Sequence, residues 1–223
     1  DLDNDGFVDI LSGYSSTIKE WTIPPGGVVT SSWGGLHWYK NNKTPISSFN
    51  RITIDSPSYH LFEQISAADL DNDRDIDPIA FYQRGDIKNL SWYKNSGVQP
   101  ISFTEYIISN DSYINSISTA DLDNDEDIDI ITSSNTGINW YENNGERSPS
   151  FINHTISDQN FNSISTADLD NDGDIDIITS SNTGISWYDN NGERLPSFIN
   201  HVISDQSTGS ISTADLDNDG DID

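Results

Sequence analysis

Five times along this chain the pattern Asp-Leu-Asp-Asn-Asp recurs, at Asp1, Asp69, Asp121, Asp168 and Asp215. The intervals are 68, 52, 47 and 47 residues. Self-similarity at such a period marks a row of like structural units, and it has to be read before any local pattern. A Trp-Tyr pair follows each of the first four loops, at Trp38, Trp92, Trp140 and Trp187. A Phe always stands 11 residues after the Trp, at Phe49, Phe103, Phe151 and Phe198. Residues 121–167 and 168–214 agree at 39 of 47 positions without a gap, so one unit has been duplicated.

Inside a unit the pattern reads as four short strands. In the fourth copy Ile175–Ser180 is β-branched and leads to a turn at Asn182-Thr183-Gly184. Ile185–Asp189 is rich in aromatics and ends at Asn190-Asn191-Gly192. Phe198–Ile203 alternates, and Ser210–Ala214 runs into the next acidic loop. Short β-rich runs bounded by Asn, Gly and Ser are strand and hairpin signals, and no 3.6-residue apolar period persists. The expected fold is all-β, with four-stranded blades of the β-propeller type as its units; an open β-solenoid is the alternative. The units are 1–68, 69–120, 121–167 and 168–214, with 215–223 the start of a further unit. The chain begins and ends inside a motif, so it is read as a window of a longer array.

Positions 1, 3, 5 and 9 of every loop are Asp. These are Asp1, Asp3, Asp5 and Asp9; Asp69, Asp71, Asp73 and Asp77; Asp121, Asp123, Asp125 and Asp129; Asp168, Asp170, Asp172 and Asp176; and Asp215, Asp217, Asp219 and Asp223. Alternate carboxylates on a tightly curved backbone converge on one point. A carbonyl from position 7, which is Phe7, Asp75, Asp127, Asp174 or Asp221, can complete the shell. Six to eight hard oxygens suit Ca²⁺, whereas Mg²⁺ demands a stricter octahedron. Solvated acidic turns would interchange Asp with Glu and drift in spacing. An EF-hand does not fit, because flanking helices and a Glu at position 12 are missing. Position 6 calls for a tight turn that Gly makes easily. It is Gly6, Gly173 and Gly220 in three loops but Arg74 and Glu126 in the others, which are expected to be strained or weaker.

The Asp-x-Asp-x-Asp-Gly-x-x-Asp loops between strands, with the Trp-Tyr-x-Asn-x-Gly hairpin, resemble the FG-GAP/VCBS-type repeats of integrin α-subunit propellers and secreted bacterial proteins. The likeness spans essentially the whole chain. It implies that each loop joins the innermost strand of a blade to the second and binds one Ca²⁺. The Phe-Gly and Gly-Ala-Pro signatures are missing, so integrin-like ligand recognition is not implied.

Charge agrees with a site and not with disorder. The formal net charge is -27 and hydrophobic residues are only 33%, but 25 of the 37 acids lie in the five loops. Such a surface repels nucleic acid and anionic membrane and attracts cations. No apolar run reaches the roughly 18–20 residues of a membrane span. With no cysteine, metal is left as the staple for a chain outside the cell. Nucleophile elbows, phosphate loops and histidine clusters are absent, so no enzyme activity is expected.

The Trp-Tyr pairs read as packing between blades, with one ring inward and one outward. His154 and His201 hold equivalent positions, which favours a structural role. An insertion of 18 residues in the first unit, about residues 15–35, carries Trp21, Pro24, Pro25 and Trp33. Insertions in repeat proteins map to loops on one face, so Trp21, Trp33 and nearby His37 form a possible ligand loop, opposite the acidic loops. Sequons at Asn42, Asn89, Asn110 and Asn153 permit N-glycosylation. The functional expectation is a calcium-stabilised secreted or cell-surface scaffold or adhesion module with protein or carbohydrate ligands. The alternatives are a subunit of an extracellular filament that assembles head to tail, and part of a secreted polysaccharide-acting protein.

Overall fold

Runs such as Asp-Ile-Ile-Thr-Ser-Ser at 129–134 are β-branched, short and closed by turn residues, and each becomes one strand. The computed structural model describes residues 2, 6, 9–23, 27–42, 49–56, 60–110, 113–217 and 219–222, with the backbone alone at 14–23 and 27–33. Among the described residues there is no helix, and all pairing is antiparallel. The strands are β1 (Ile10–Ile23), β2 (Gly27–Asn41), β3 (Phe49–Asp55), β4 (Leu61–Ala68), β5 (Asp77–Arg84), β6 (Ile87–Asn95), β7 (Phe103–Ser109) and β8 (Ile114–Ala120), followed by β9 (Asp129–Ser134), β10 (Gly137–Asn143), β11 (Phe151–Ser157), β12 (Ser163–Ala167), β13 (Asp176–Ser181), β14 (Gly184–Asn190) and β15 (Phe198–Ser204).

These strands form four blade-like sheets. Three of them are meanders of four strands, β4-β5-β6-β7, β8-β9-β10-β11 and β12-β13-β14-β15. The described part of the first sheet has three strands, β1-β2-β3. Each full sheet takes the strand before an acidic loop together with the three after it, so the sheet runs across the sequence boundaries at 121 and 168. Every sheet carries the same register slip on its outer pair, between Leu36 and His37, Leu90 and Ser91, Ile138 and Asn139, and Ile185 and Ser186. That bulge stands just ahead of each Trp-Tyr pair and twists the strand locally.

The chain divides into two compact units, Asp1–Ala67 with Asp75–Asp111, and Ala68–Arg74 with Ser112–Asp223. In the first, Leu36, Phe62, Ala80, Tyr82 and Tyr93 form the core, with Leu11, Ile54, Ile65 and Phe103 against it. In the second, Leu122, Ile131, Ile138, Trp140, Phe161, Ile164, Ile177 and Tyr188 form the core between two facing sheets. Polar rungs accompany that apolar seam. Ser118 meets Thr166 at 2.9 Å, Ser165 meets Thr213 at 3.0 Å, and Asn115 donates to the Phe161 carbonyl. The partners in both hydroxyl pairs are 48 residues apart, one more than the 47-residue repeat, and Thr213 belongs to residues 210–214, which the sequence suggested as a strand but which form none here.

The insertion is not a loop. It lengthens the first hairpin, with β1 paired to β2 from Ile10↔Tyr39 out to Ile23↔Gly27. The cause is alternation: the inserted segment is rich in β-branched and aromatic residues on both sides of Pro24-Pro25, so it extends the ladder. Its tip lies at the end of β1 away from Asp9, and residues 24–26 lie outside the described residues.

Candidate metal centres

A loop of nine residues that must turn several carboxylates inward needs sharp backbone reversals. Two positions supply them. Position 6 has positive φ whatever its residue: Arg74 at 73°, Glu126 at 74°, Gly173 at 97° and Gly220 at 101°. Position 4 does the same, with Asn72 at 56°, Asn124 at 58° and Asn171 at 60°. Asn tolerates this left-handed region better than most side chains, which accounts for its presence in every copy.

The carboxylates then hold the loop's own amides. In the third loop Asp121 accepts from the amides of Asp125 and Glu126, and Asp125 accepts from Asp127. The same pattern recurs with Asp168, Asp172 and Asp174, and with Asp215, Asp219 and Asp221. Position 9 closes the loop differently. Asp129 takes the Leu122 amide on one oxygen and the Asn143 amide on the other. Asp176 does so with Leu169 and Asn190, and Asp9 with Leu2 and Asn41. Burial nevertheless pushes Asp129 up to about 7, with those amides opposing the shift.

Within the second unit three carboxylate groups bring one oxygen from each member within 4.8 Å of the others: Asp121, Asp123 and Asp125; Asp168, Asp170 and Asp176; and Asp215, Asp217 and Asp219. Asp123 is the decisive member. It is 2% exposed, and both its oxygens are buried without a hydrogen-bond partner. Burial first, then the charges of Asp125, Glu142 and Asp121, pushes it up to about 6. A buried, unbonded carboxylate beside two others is costly on its own. A divalent cation at the centre of the three would supply what the Asp123 oxygens lack, so these residues fit a hard metal ion.

The remaining sequence-predicted residues fall as follows. Asp69, Asp71 and Asp73 belong to the second unit, Asp75 and Asp77 to the first. Asp69 accepts from the amides of Asp73 and Arg74, and Asp77 from that of Asn95. Asp1, Asp3, Asp5, Phe7 and Asp223 lie outside the described residues. Trp21 and Trp33 pair with Val29 and Ser16 along the extended hairpin, and His37 is buried.

Sequence reasoning missed a second set of residues. The Asn that ends each Trp-Tyr-x-Asn strand is a latch. Asn143 donates its side-chain amide to the Leu70 and Ile128 carbonyls, Asn190 to Leu122 and Ile175, and Asn95 to Leu2 and Ile76. Each thereby ties its own loop to position 2 of the preceding loop. The hairpin glycine two residues later has no room for a side chain: a Cβ on Gly145 or Gly192 would lie 1.9 Å from the carboxylate of Asp127 or Asp174. The signal was present, since Asn follows every Trp-Tyr-x.

In the second and third Trp-Tyr pairs both rings are buried, which corrects the expectation that one points outward, whereas Tyr39 of the first pair and Trp187 of the fourth are half-buried. Trp38, Trp92, Trp140, Tyr93, Tyr141 and Tyr188 are all buried. Neighbours on a strand face opposite sides, and the adjoining sheet or strand covers each side. Tyr188 reaches Ser157 of the preceding sheet at 3.2 Å. Trp140 and Trp187 are covered by His154 and His201, whose ring nitrogens meet Glu142 at 2.7 Å and Asp189 at 3.1 Å. The two histidines thus make the same contacts at equivalent positions of two repeats. Beside them a groove of about 340 Å³ is lined by Trp140, His154 and Leu195–Phe198. Of the sequons, Asn89 is buried and bonded to Tyr82, whereas Asn110 and Asn153 are exposed.

A family model described as FG-GAP-like repeat matches residues 69–132, 121–179 and 168–223. Among solved structures, a lectin of Agrocybe aegerita, described for its specific recognition of non-reducing terminal N-acetylglucosamine, has a TM-score of 0.40 and 15% identity. That match covers 88% of this chain and 68% of the lectin chain. No curated protein matches the chain.

Proposed function

This chain belongs to the FG-GAP-like repeat family, and from that premise we propose that it is a calcium-stabilised extracellular repeat module offering its surface to protein or carbohydrate ligands. The observation that carries the proposal is Asp123, buried with two unbonded oxygens inside one of three recurring carboxylate groups. The recurrence of one such group in each successive repeat suits a structural ion. In each loop the carboxylates at positions 1, 3, 5 and 9 and the carbonyl at position 7 would be the ligands. Calcium also suits the outside of a cell, where millimolar sites fill without tight binding, and no helix among the described residues is long and apolar enough to cross a membrane.

The test is thermal unfolding in excess chelator and again with calcium restored. One site filled to 100 times Kd adds about 2.7 kcal/mol, and independent sites add. The melting temperature should fall in chelator and recover with calcium but not with equal magnesium; a curve indifferent to both ions overturns the proposal. Ligands would be sought in the groove beside His154, by a glycan array and by pull-down with a Leu195→Asp variant as control.

A second reading is a subunit that assembles end to end, a head-to-tail arrangement that the near-identical units 121–167 and 168–214 suit. Electron microscopy distinguishes discrete particles from fibres.

A further inference from the structure

The acidic loops of the second unit are not independent of one another. Asn72 donates its side-chain amide to Asp127 of the next loop, Asn124 to Asp174, and Asn171 to Asp221. The donor is always position 4 and the acceptor always position 7, about one repeat further on. Each donor stands between two candidate ligands of its own loop, Asn124 between Asp123 and Asp125 for example. Each acceptor's own amide is bonded to the position-5 carboxylate of its loop: Asp127 to Asp125, Asp174 to Asp172, and Asp221 to Asp219. The acceptor carboxylate is further confined by the hairpin glycine beside it, Gly145 for Asp127 and Gly192 for Asp174. A second link runs alongside, from Asn143 and Asn190 to the Leu70 and Leu122 carbonyls of the preceding loop.

We propose that Asn72, Asn124 and Asn171 are positioning residues that couple neighbouring metal loops, so that a calcium ion in one loop raises the affinity of the next. The proposal rests on the calcium reading above. Its mechanism is conformational. Asp123 and Asp125, drawn together on an ion, would hold the left-handed Asn124 between them, and Asn124 so held would hold Asp174. Asp174 then presents its amide to Asp172 and its carbonyl to the next ion in the geometry the ion needs. Ordering that has been done once is not done again at the second site, which is positive cooperativity without a large movement. Coupling of this kind is reciprocal, and it typically amounts to a five- to 150-fold change in affinity.

The experiment is a calorimetric titration of the full chain with calcium alone. The chosen variant is Asn124→Gly, because glycine keeps the left-handed backbone and removes only the amide. The native chain should titrate with a Hill coefficient above 1. Asn124→Gly should lower that coefficient and weaken the later binding steps roughly tenfold, while its melting temperature in chelator stays with the native one. The exchange Asn124→Asp with Asp174→Asn rebuilds the hydrogen bond in the opposite direction and should restore the native coefficient. Calcium binding without cooperativity in the native chain overturns the coupling and leaves the calcium reading intact. Unchanged cooperativity in Asn124→Gly overturns the role given to Asn124. Absence of calcium binding in the native chain overturns both.

Discussion

Glu126 and Arg74 occupy a left-handed position that three other loops fill with glycine. A side chain there costs about 1–2 kcal/mol, so Glu126→Gly should stabilise the chain by about 1 kcal/mol, read as a higher melting temperature in chelator. Arg74 also lowers the net negative charge of its loop, so calcium should bind at Asp69, Asp71 and Asp73 more weakly than at Asp168, Asp170 and Asp172. Asp73→Ala should then remove less calcium-dependent stability than Asp172→Ala, and equal losses would refute the ranking. A different residue gives a pH effect. His60 stacks on Tyr82 at 4.3 Å and lies 3.8 Å from Asp55, with Glu105 and Arg84 also facing it. Burial holds His60 below its ordinary 6.5, against the pull of Asp55 and Glu105. The unfolded chain therefore takes up the proton first, and stability should fall as pH drops from 6.5 toward the lowered folded value. Asp123 and Asp129, pushed up to about 6 and about 7, titrate in the same window with the opposite sign, so the His60 drop should be read as the difference between the native and His60→Phe melting curves from pH 7.5 to 5. Much of this scale was legible beforehand: fixed Asp spacing pointed to the carboxylate groups, and the glycines at position 6 to the reversed backbone. What stayed hidden were Asn124 and Asn143, whose partners lie in another repeat, at a distance that no local pattern encodes.

At the scale of the element, the Trp-Tyr strand is where a sheet meets both of its surroundings. Trp140 belongs to the core of the second unit, and Tyr141 on the opposite face is equally buried. Replacing a buried aromatic by Ala costs about 3–5 kcal/mol, so Trp140→Ala should lose protection in hydrogen exchange across β8–β15. Trp21→Ala, on the extended hairpin, should leave protection of those strands unchanged. If Trp140→Ala instead kept full protection and lost only ligand binding, the ring would be a recognition element. Strand content was readable from β-branched runs and Asn-Gly turns. The repeated bulge ahead of each Trp was not, because a register slip is decided between two strands and leaves no mark in either alone. Nor was the long first hairpin, since Pro24-Pro25-Gly26 reads as a loop whether it stands in one or caps a ladder.

For the whole molecule, near-identical units with identical contacts imply that a unit can be taken out. Without residues 121–167, Ala120 would run into Asp168, and Asn190 would meet the Leu70 carbonyl that Asn143 holds now. We expect this shortened chain to fold, with an unchanged strand signature by circular dichroism and a cooperative, calcium-dependent transition; an aggregated or unfolded product would show that the copies are not interchangeable. Stability in such arrays is roughly a sum over units and their neighbours, so the loss should approximate one unit and one interface. The offset between the sequence repeat and the sheet has a consequence for damage. A protease that severs the loop between Ala120 and Asp129 cuts where one duplicated segment ends and the next begins, yet β8 stays laddered to β9 on either side of the nick. The fragments remain clasped like overlapping roof tiles, so this joint between two repeats of the covalent chain is spliced by the sheet itself.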